Sequence, residues 1–218
     1  MIKKILIVNA TPKTDGLCYS FVETASQATA NLGLDYEVLR LAGLGLKKCL
    51  MCRDGWGICI KEHRCIQDQD EFAVLQQKVK AADAFIYISP VYWGEISEEL
   101  KIFWDRLRRC ETTKQWNEKD EVESFHKNKP SIIVASAGGG GGGCLSTLSD
   151  MERIIDQLGQ HVGLQNGTAG TFDYIAVTRW NQDYKRETLK AAIAAMVAIN
   201  NGEKEVAPMN HLADLEKF

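Results

Sequence analysis

The chain has 218 residues, of which 45% are hydrophobic and 25% are charged, and its formal net charge at pH 7 is -3. This length and composition suffice for one large domain with a substantial core. The slight acidic excess and the absence of a block of five or six Lys or Arg argue against nucleic acid as a partner.

The N-terminal apolar run, Ile5 to Val8, is too short for the core of a signal peptide and far too short to cross a bilayer. We therefore expect a cytoplasmic protein that does not bind a membrane. Seven cysteines form an odd set without a secretory signal. This favours reduced thiols or metal ligands over a disulfide framework.

Strand-like and helix-like segments alternate along the chain. Residues 2–10 predict a first strand, residues 20–32 have the apolar spacing of a helix that Gly33 ends, and residues 35–42 predict a second strand. Residues 70–80 predict a helix. Residues 84–89 form an uninterrupted apolar run, which is typical of a strand buried on both faces of a parallel sheet.

The second half of the chain continues this alternation. Ser97 can cap a helix that has Glu98 and Glu99 in its first turn and three arginines near its end. Residues 111–128 are polar and lack periodicity, so we interpret them as a surface excursion. The remaining predicted elements are a strand at 131–137, a helix between the following glycines and Gly159, a weaker strand at 161–165 and a helix at 184–200.

Five βα units in this order predict an α/β fold with a doubly wound, five-stranded parallel sheet and helices on both faces. No repeat or linker divides the sequence, so we expect residues 1–218 to form one domain with a cysteine-rich excursion at 47–66. In such folds ligands bind beyond the carboxyl ends of the strands. The loops after the first, third and fourth strands are therefore the candidate site.

These three loops have unusual compositions. The first loop (residues 9–20) offers hydroxyls, Lys13 and the N–H groups of a helix start, which suit a phosphate but also occur in ordinary βα turns. The second loop (residues 89–97) places Tyr92 and Trp93 where they form a platform for a planar ring or pack beneath a neighbouring segment. The third loop (residues 137–144) has six consecutive glycines, which permit close backbone approach to a ligand.

The motifs NATPKTDG, SPVYWGEISEELKIFWDRL and SAGGGGGG resemble the flavodoxin-like NAD(P)H-dependent FMN reductases and their relatives, the iron-sulfur flavoproteins. The resemblance implies a flavodoxin-like fold, FMN as cofactor, NAD(P)H as co-substrate and a homodimer or homotetramer. It also implies the residues that bind FMN. These are Thr11, Lys13, Gly16, Leu17 and Cys18 around the phosphate, and Pro90, Val91, Tyr92, Trp93, Gly94, Ala137, Gly138, Gly139 and Gly140 around the ring.

Two departures from the family pattern lie in the first loop. The chain has Ala10 where the family usually has Gly, and Leu17-Cys18 where the family usually has Asn-Thr. A thiol is a weaker hydrogen-bond donor than a hydroxyl. We therefore expect Cys18 to weaken one phosphate contact.

Four cysteines, Cys49, Cys52, Cys59 and Cys65, are spaced C-x2-C-x6-C-x5-C. Iron-sulfur flavoproteins carry a tighter spacing, and relatives without a cluster also keep cysteines in this loop. The spacing leaves an iron-sulfur cluster, a zinc site and free thiols open as interpretations. Elsewhere, we interpret Cys110 as a buried small residue just past a helix end. Trp180 and Tyr184 either border the substrate pocket or pack against the last helix, and we favour packing.

The resemblance implies an enzyme in which FMN takes a hydride from NAD(P)H and passes electrons to a small acceptor such as a quinone, a free flavin or a nitroaromatic. No side chain is assigned a catalytic role. The alternative is an electron-transfer iron-sulfur flavoprotein with a cluster on the four spaced cysteines. A signalling receiver is excluded because it needs an aspartate where the third strand ends in Ser89 and Pro90, and P-loop and GxSxG motifs are absent.

Overall fold

The computed structural model describes residues 1–112, 114, 123–158 and 170–202. Five parallel strands form one sheet in the order β2-β1-β3-β4-β5. The strands are β1 (Lys4–Asn9), β2 (Asp35–Arg40), β3 (Ala84–Pro90), β4 (Pro130–Ser136) and β5 (Gly170–Val177). This is the strand order of the flavodoxin-like doubly wound sheet, so the predicted fold class is confirmed.

Helices cover both faces of the sheet. They are α1 (Gly16–Asn31), α2 (Cys52–Gly55), α3 (Cys59–Glu62), α4 (Phe72–Ala81), α5 (Glu98–Thr112), α6 (Cys144–Gln157) and α7 (Gln182–Asn200). On one face α1 and α7 bury Phe21 and Met196, and on the other α4, α5 and α6 pack in a second cluster that includes Trp104 and Leu148. None of the described helices is long and apolar enough to cross a membrane.

The last strand of the sheet lies later in the sequence than predicted. The strand predicted at residues 161–165 falls outside the described residues, whereas β5 occupies Gly170–Val177 at the edge of the sheet. Phe172, Tyr174 and Ile175 are typical strand residues, but Asp173 breaks them up, so this segment lacks the uninterrupted apolar run by which β3 and β4 were predicted. The loop that follows β5 was therefore not among the three loops expected to form the site.

The polar segment at residues 111–128 is buried in part, so its interpretation as a surface excursion is wrong for Glu111, Lys114, Ser124 and His126, whereas residues 123, 127 and 128 are exposed. Glu111 accepts hydrogen bonds from Gln76 (3.2 Å), Lys114 (3.0 Å), Ser124 (3.1 Å) and the N–H of Phe125 (2.7 Å). The Glu111 and Lys114 side chains are at most 1% exposed. Sequence periodicity could not reveal this burial, because Glu111 also binds Gln76, Ser124 and Phe125, which lie 13 to 35 residues away in sequence.

His126 lies in the same segment, packed beneath the sheet. Its Nε2 is 2.9 Å from the Tyr87 hydroxyl, and its ring stacks on Phe85 with centroids 4.6 Å apart. Burial, together with nearby Lys129 and Lys114, lowers the pKa of His126 from 6.5 to about 3. The imidazole is therefore neutral in the folded protein at pH values where the unfolded chain binds a proton.

This difference predicts an acid-dependent loss of stability. As the pH falls from about 6.5 towards 3, only the unfolded state takes up this proton, so the free energy of unfolding decreases by up to about 1.4 kcal/mol per pH unit. In a His126→Gln variant, the dependence of the unfolding free energy on pH should lack this contribution. Urea unfolding between pH 7 and pH 4 measures it, and equal slopes for variant and wild type would contradict the assignment.

Candidate functional site

The carboxyl ends of β1, β3 and β4 bring the three predicted loops together. The Ser97 hydroxyl, at the end of the second loop, donates to the carbonyl oxygen of Ala10 in the first loop (3.0 Å). The N–H of Val91 donates to the carbonyl oxygen of Ser136, which precedes the third loop (2.9 Å). The loops are therefore neighbours, as a parallel sheet with this strand order requires.

The first loop turns tightly and leaves the start of α1 open. The Asn9 side-chain oxygen accepts from the N–H of Thr11 (2.9 Å), and Thr11 Oγ1 accepts from the N–H of Lys13 (3.3 Å). Gly16 has φ +81°, and no atom of the described residues lies within 4 Å of a Cβ added there. The Asp15 side chain does not cap α1. The N–H groups of the first helical turn are thus left for another acceptor.

Leu17 and Cys18 lie in the first turn of α1 and are partly buried. Burial raises the pKa of Cys18 to about 12, although hydrogen bonding with the hydroxyls of Thr11 and Ser136 offsets part of this effect. The thiol is therefore protonated at neutral pH. It joins the first loop to the end of β4 without adding negative charge.

The second loop is a tight turn that presents an indole ring to solvent. Two backbone hydrogen bonds of 3.0 Å join Tyr92 and Glu95. Between them Trp93 (φ 54°) and Gly94 (φ 84°) adopt left-handed conformations, as in a two-residue hairpin turn. Trp93 is fully exposed and Tyr92 is 46% exposed. Presenting Trp93 in this conformation costs about 1–2 kcal/mol.

Five of the six glycines of the third loop fall into two groups. Residues 138–140 are exposed, and a Cβ added at any of them would meet nothing within 4 Å in the described part of the chain. A Cβ on Gly141 would lie 2.8 Å from Thr178 Cγ2, and one on Gly143 would lie 2.4 Å from the Cα of Gly94. The first group borders open space, whereas the second group packs against neighbouring segments.

The other predicted ring-contacting residues lie where the strands end. Pro90 is the last residue of β3, Ala137 follows β4, and both are buried. Val91 is partly buried beside Gly143. These residues therefore contribute mainly backbone to the floor of the junction between the second and third loops.

An open cleft of about 380 Å³ extends from the start of α1 to the third loop. It is lined by Gly16, Leu17, Ser20, Gly138, Arg179, Gln182 and Arg186. Three of these residues follow β5 and were missed by the sequence analysis, because the fifth strand was placed too early. Two arginines just beyond the true strand end were the signal that could have indicated them.

Trp180 and Tyr184 are 81% and 71% exposed, so the prediction that they are packing residues is wrong for the described structure. Trp180 lies in the turn between β5 and α7. Tyr184 lies away from the helical face of α7 that buries Leu189, Ile193 and Met196.

The four spaced cysteines share one small pocket with a fifth. It is lined by Cys49, Cys52, Cys59, Cys65 and Cys110, and by Arg106 and Arg109. Cys110 is buried as predicted, but it lies inside α5 and not beyond its end. All seven cysteines are free thiols, and among the described residues no group of three or more His, Cys, Asp or Glu is arranged to hold a metal ion. The thiols therefore line one pocket but are not arranged around a common metal position.

Arg106 on α5 binds both ends of the cysteine segment (residues 47–66). Its guanidinium donates to the carbonyl oxygens of Lys47 (3.3 Å) and Gln67 (3.0 Å) and pairs with Asp70. The Arg106 and Asp70 side chains are 0% and 3% exposed. Burial alone would raise the pKa of Asp70, but hydrogen bonds from Arg106, Lys47 and Phe72 outweigh it, so this pKa lies below its ordinary value.

Comparison with known proteins finds one matching family and several similar proteins. The sequence model of the NADPH-dependent FMN reductase family matches residues 3–167. An iron-sulfur flavoprotein of Methanocaldococcus jannaschii is 35% identical over 107 residues, which are 48% of this chain and 52% of that protein. The chain spans about half the length of the curated relatives it matches.

Two solved structures share the fold. The NAD(P)H:quinone oxidoreductase from Methanothermobacter marburgensis is 17% identical with a TM-score of 0.54, covering 96% of this chain and 100% of that one. General stress protein 14 from Treponema denticola, solved in complex with FMN, is 13% identical with a TM-score of 0.52, covering 90% and 99%.

Proposed function

Because this chain belongs to the NADPH-dependent FMN reductase family, we propose that it binds FMN where its three loops meet and acts as an NAD(P)H-dependent oxidoreductase. The observation that carries the proposal is the cleft that joins the open start of α1 to the third loop. A ligand with a phosphate at one end and a planar ring at the other matches the chemistry of the two ends.

The phosphate end fits an anionic ester. A helix start without a side-chain cap offers N–H donors and the positive end of the helix dipole. The space beside Gly16 is one that a Cβ would fill, so glycine at this position leaves room for phosphate oxygens. The protonated thiol of Cys18 adds no repulsion.

The ring end fits a flat heterocycle. Backbone of the second loop and of residues 138–140 borders this space, and Tyr92 and Trp93 provide flat surfaces beside it. FMN, when bound, supplies the hydride chemistry, taking a hydride from NAD(P)H and passing electrons to a small acceptor such as a quinone, free flavin or nitroaromatic. The chain's own residues anchor the phosphate, orient the ring and leave one side open for both substrates.

The proposal is tested with protein purified without oxygen. We expect a two-banded flavin spectrum, bound FMN in equal molar amount after addition of FMN, and steady oxidation of NADH or NADPH with a quinone present. A protein that binds no flavin would overturn the proposal. Bound FMN without nicotinamide oxidation would instead indicate an electron carrier that serves a protein partner.

As a second candidate, we propose an electron-transfer iron-sulfur flavoprotein with a cluster on Cys49, Cys52, Cys59 and Cys65. Its support is that all four thiols line one pocket, with two arginines beside them to offset thiolate charge. The relative from Methanocaldococcus jannaschii is an iron-sulfur flavoprotein by name. Because the thiols do not converge in this structure, a cluster would require the cysteine segment to rearrange.

Metal analysis of the same anaerobic sample tests this second candidate. A cluster predicts iron and acid-labile sulfide in equal amounts, and both should be lost in a Cys59→Ser variant that still binds FMN. Zinc without sulfide would indicate a zinc site. A metal-free sample would leave the cysteine segment as a set of free thiols and contradict the cluster.

A further inference from the structure

We infer that Arg179 and Arg186, the arginines that follow β5, supply the positive charge that holds the phosphate ester and makes the site select FMN over riboflavin. The inference rests on the proposed function, and assigns a binding role to residues outside the three predicted loops. Both arginines line the cleft that begins at Gly16 and Leu17.

The first loop cannot supply this charge by itself. Its only charged side chains are Lys13 and Asp15, which cancel. Leu17 has no polar side-chain atom, and the Cys18 thiol is already engaged by two hydroxyls. A phosphate ester carrying close to two negative charges therefore needs cations from another segment.

Arg186 is held against the first turns of α1. Its Nη2 donates to Ser20 Oγ (3.1 Å) and to Gln182 Oε1 (2.9 Å), and its guanidinium lies 5.7 Å from the Phe21 ring centroid. Its side chain is 27% exposed, so it is positioned by packing while still reaching the cleft. A guanidinium presented in this way suits two parallel hydrogen bonds to phosphate oxygens.

The existing partner of Arg186 can be exchanged for a ligand. Nη1 donates to Asp183 Oδ1 (2.6 Å), but the Asp183 side chain is 93% exposed. Exposed ion pairs are weak, because water and salt screen them. A phosphate held at the start of α1 would therefore compete successfully for this guanidinium.

Arg179 is available without any exchange. It is exposed, and its guanidinium has no hydrogen bond or ion pair with any residue in the described ranges. It also lies at the start of the connection from β5, at the same carboxyl end of the parallel strands as the first loop. The two arginines thus contribute a charge of about +2 to the cleft, without the negative charge of Asp183.

Flavin titrations test the inference. Protein freed of flavin is titrated with FMN and, separately, with riboflavin, for wild type, Arg186→Gln, Arg179→Gln and the double variant. We expect each single variant to bind FMN about tenfold more weakly and the double variant more weakly still, with riboflavin affinity changed less than about twofold. Unchanged riboflavin binding also shows that each variant is folded.

Arg153→Gln is the matched control, because the exposed Arg153 on α6 pairs with the partly exposed Asp150 (2.8 Å) and does not line the cleft. It should bind both flavins as wild type does. If the arginine variants lose FMN and riboflavin affinity equally, or lose no more than Arg153→Gln, the inference is wrong while FMN binding stands. If wild type binds neither flavin, the proposed function fails and the inference fails with it.

Discussion

Replacing Arg106 with Met is expected to lower the free energy of unfolding by about 3–5 kcal/mol, which is the usual cost of removing one partner from a buried ion pair. The substitution leaves Asp70 buried without its cation and removes donors to the carbonyl oxygens of Lys47 and Gln67. It also removes the contact of the guanidinium with the Phe72 ring, 4.1 Å away. Denaturant unfolding at pH 7 measures the change.

Lys101→Met provides the matched control on the same helix. Lys101 pairs with Asp105 in an exposed i,i+4 ion pair, so its loss should cost less than about 0.5 kcal/mol. Arg106→Met should also speed the reaction of the pocket thiols with a thiol reagent in the folded protein, because the ends of the cysteine segment are released. A loss of stability no greater than that of Lys101→Met would contradict the role of Arg106.

Gly143→Ala is expected to lower the free energy of unfolding by about 2–4 kcal/mol, since it adds left-handed strain to severe overpacking. Gly143 has φ +86°, and the added Cβ would lie 2.4 Å from the Cα of Gly94 and 3.0 Å from Val91 Cγ1. Backbone cannot yield as a flexible side chain would, so the second and third loops must separate. We also expect weaker FMN binding, measured by the same titration as above.

Gly139→Ala is the control variant. It distinguishes the steric effect at Gly143 from the general effect of replacing a glycine in this loop. Gly139 lies in the same run, has no left-handed φ, and a Cβ there would meet no described atom within 4 Å. Its unfolding free energy should change by less than about 1 kcal/mol, in either direction. Equal destabilisation by the two substitutions would show that the contact with Gly94 is not the cause.

The elements with a clear apolar pattern were predictable from sequence. β3 and β4 are buried on both faces and read as unbroken apolar runs, and α5 places Leu100, Phe103 and Trp104 on its buried side as predicted. β5 was missed because it is an edge strand interrupted by Asp173. Pattern analysis depends on uninterrupted burial, which an edge strand does not require.

Only the part of the candidate site that lies in the loops after β1, β3 and β4 was predictable from sequence. The parallel topology brought the three loops together, but Arg179 and Arg186 follow β5, a strand that was not predicted at Gly170–Val177. Arg106 was expected only as a charge near a helix end. Its burial depends on Asp70 and two carbonyl groups far away in sequence, and such pairing leaves no periodic trace.

Helix α5 forms a wall of the cysteine pocket, yet it is synthesised after the cysteine segment that it covers. At about 5–20 residues per second, ribosomes take seconds to add the residues that separate Cys65 from the end of α5. During that interval the four thiols lack Arg106 and Arg109 as neighbours. Any metal, cluster donor or oxidant in the cell thus meets the thiols first in the nascent chain, before the helix encloses them.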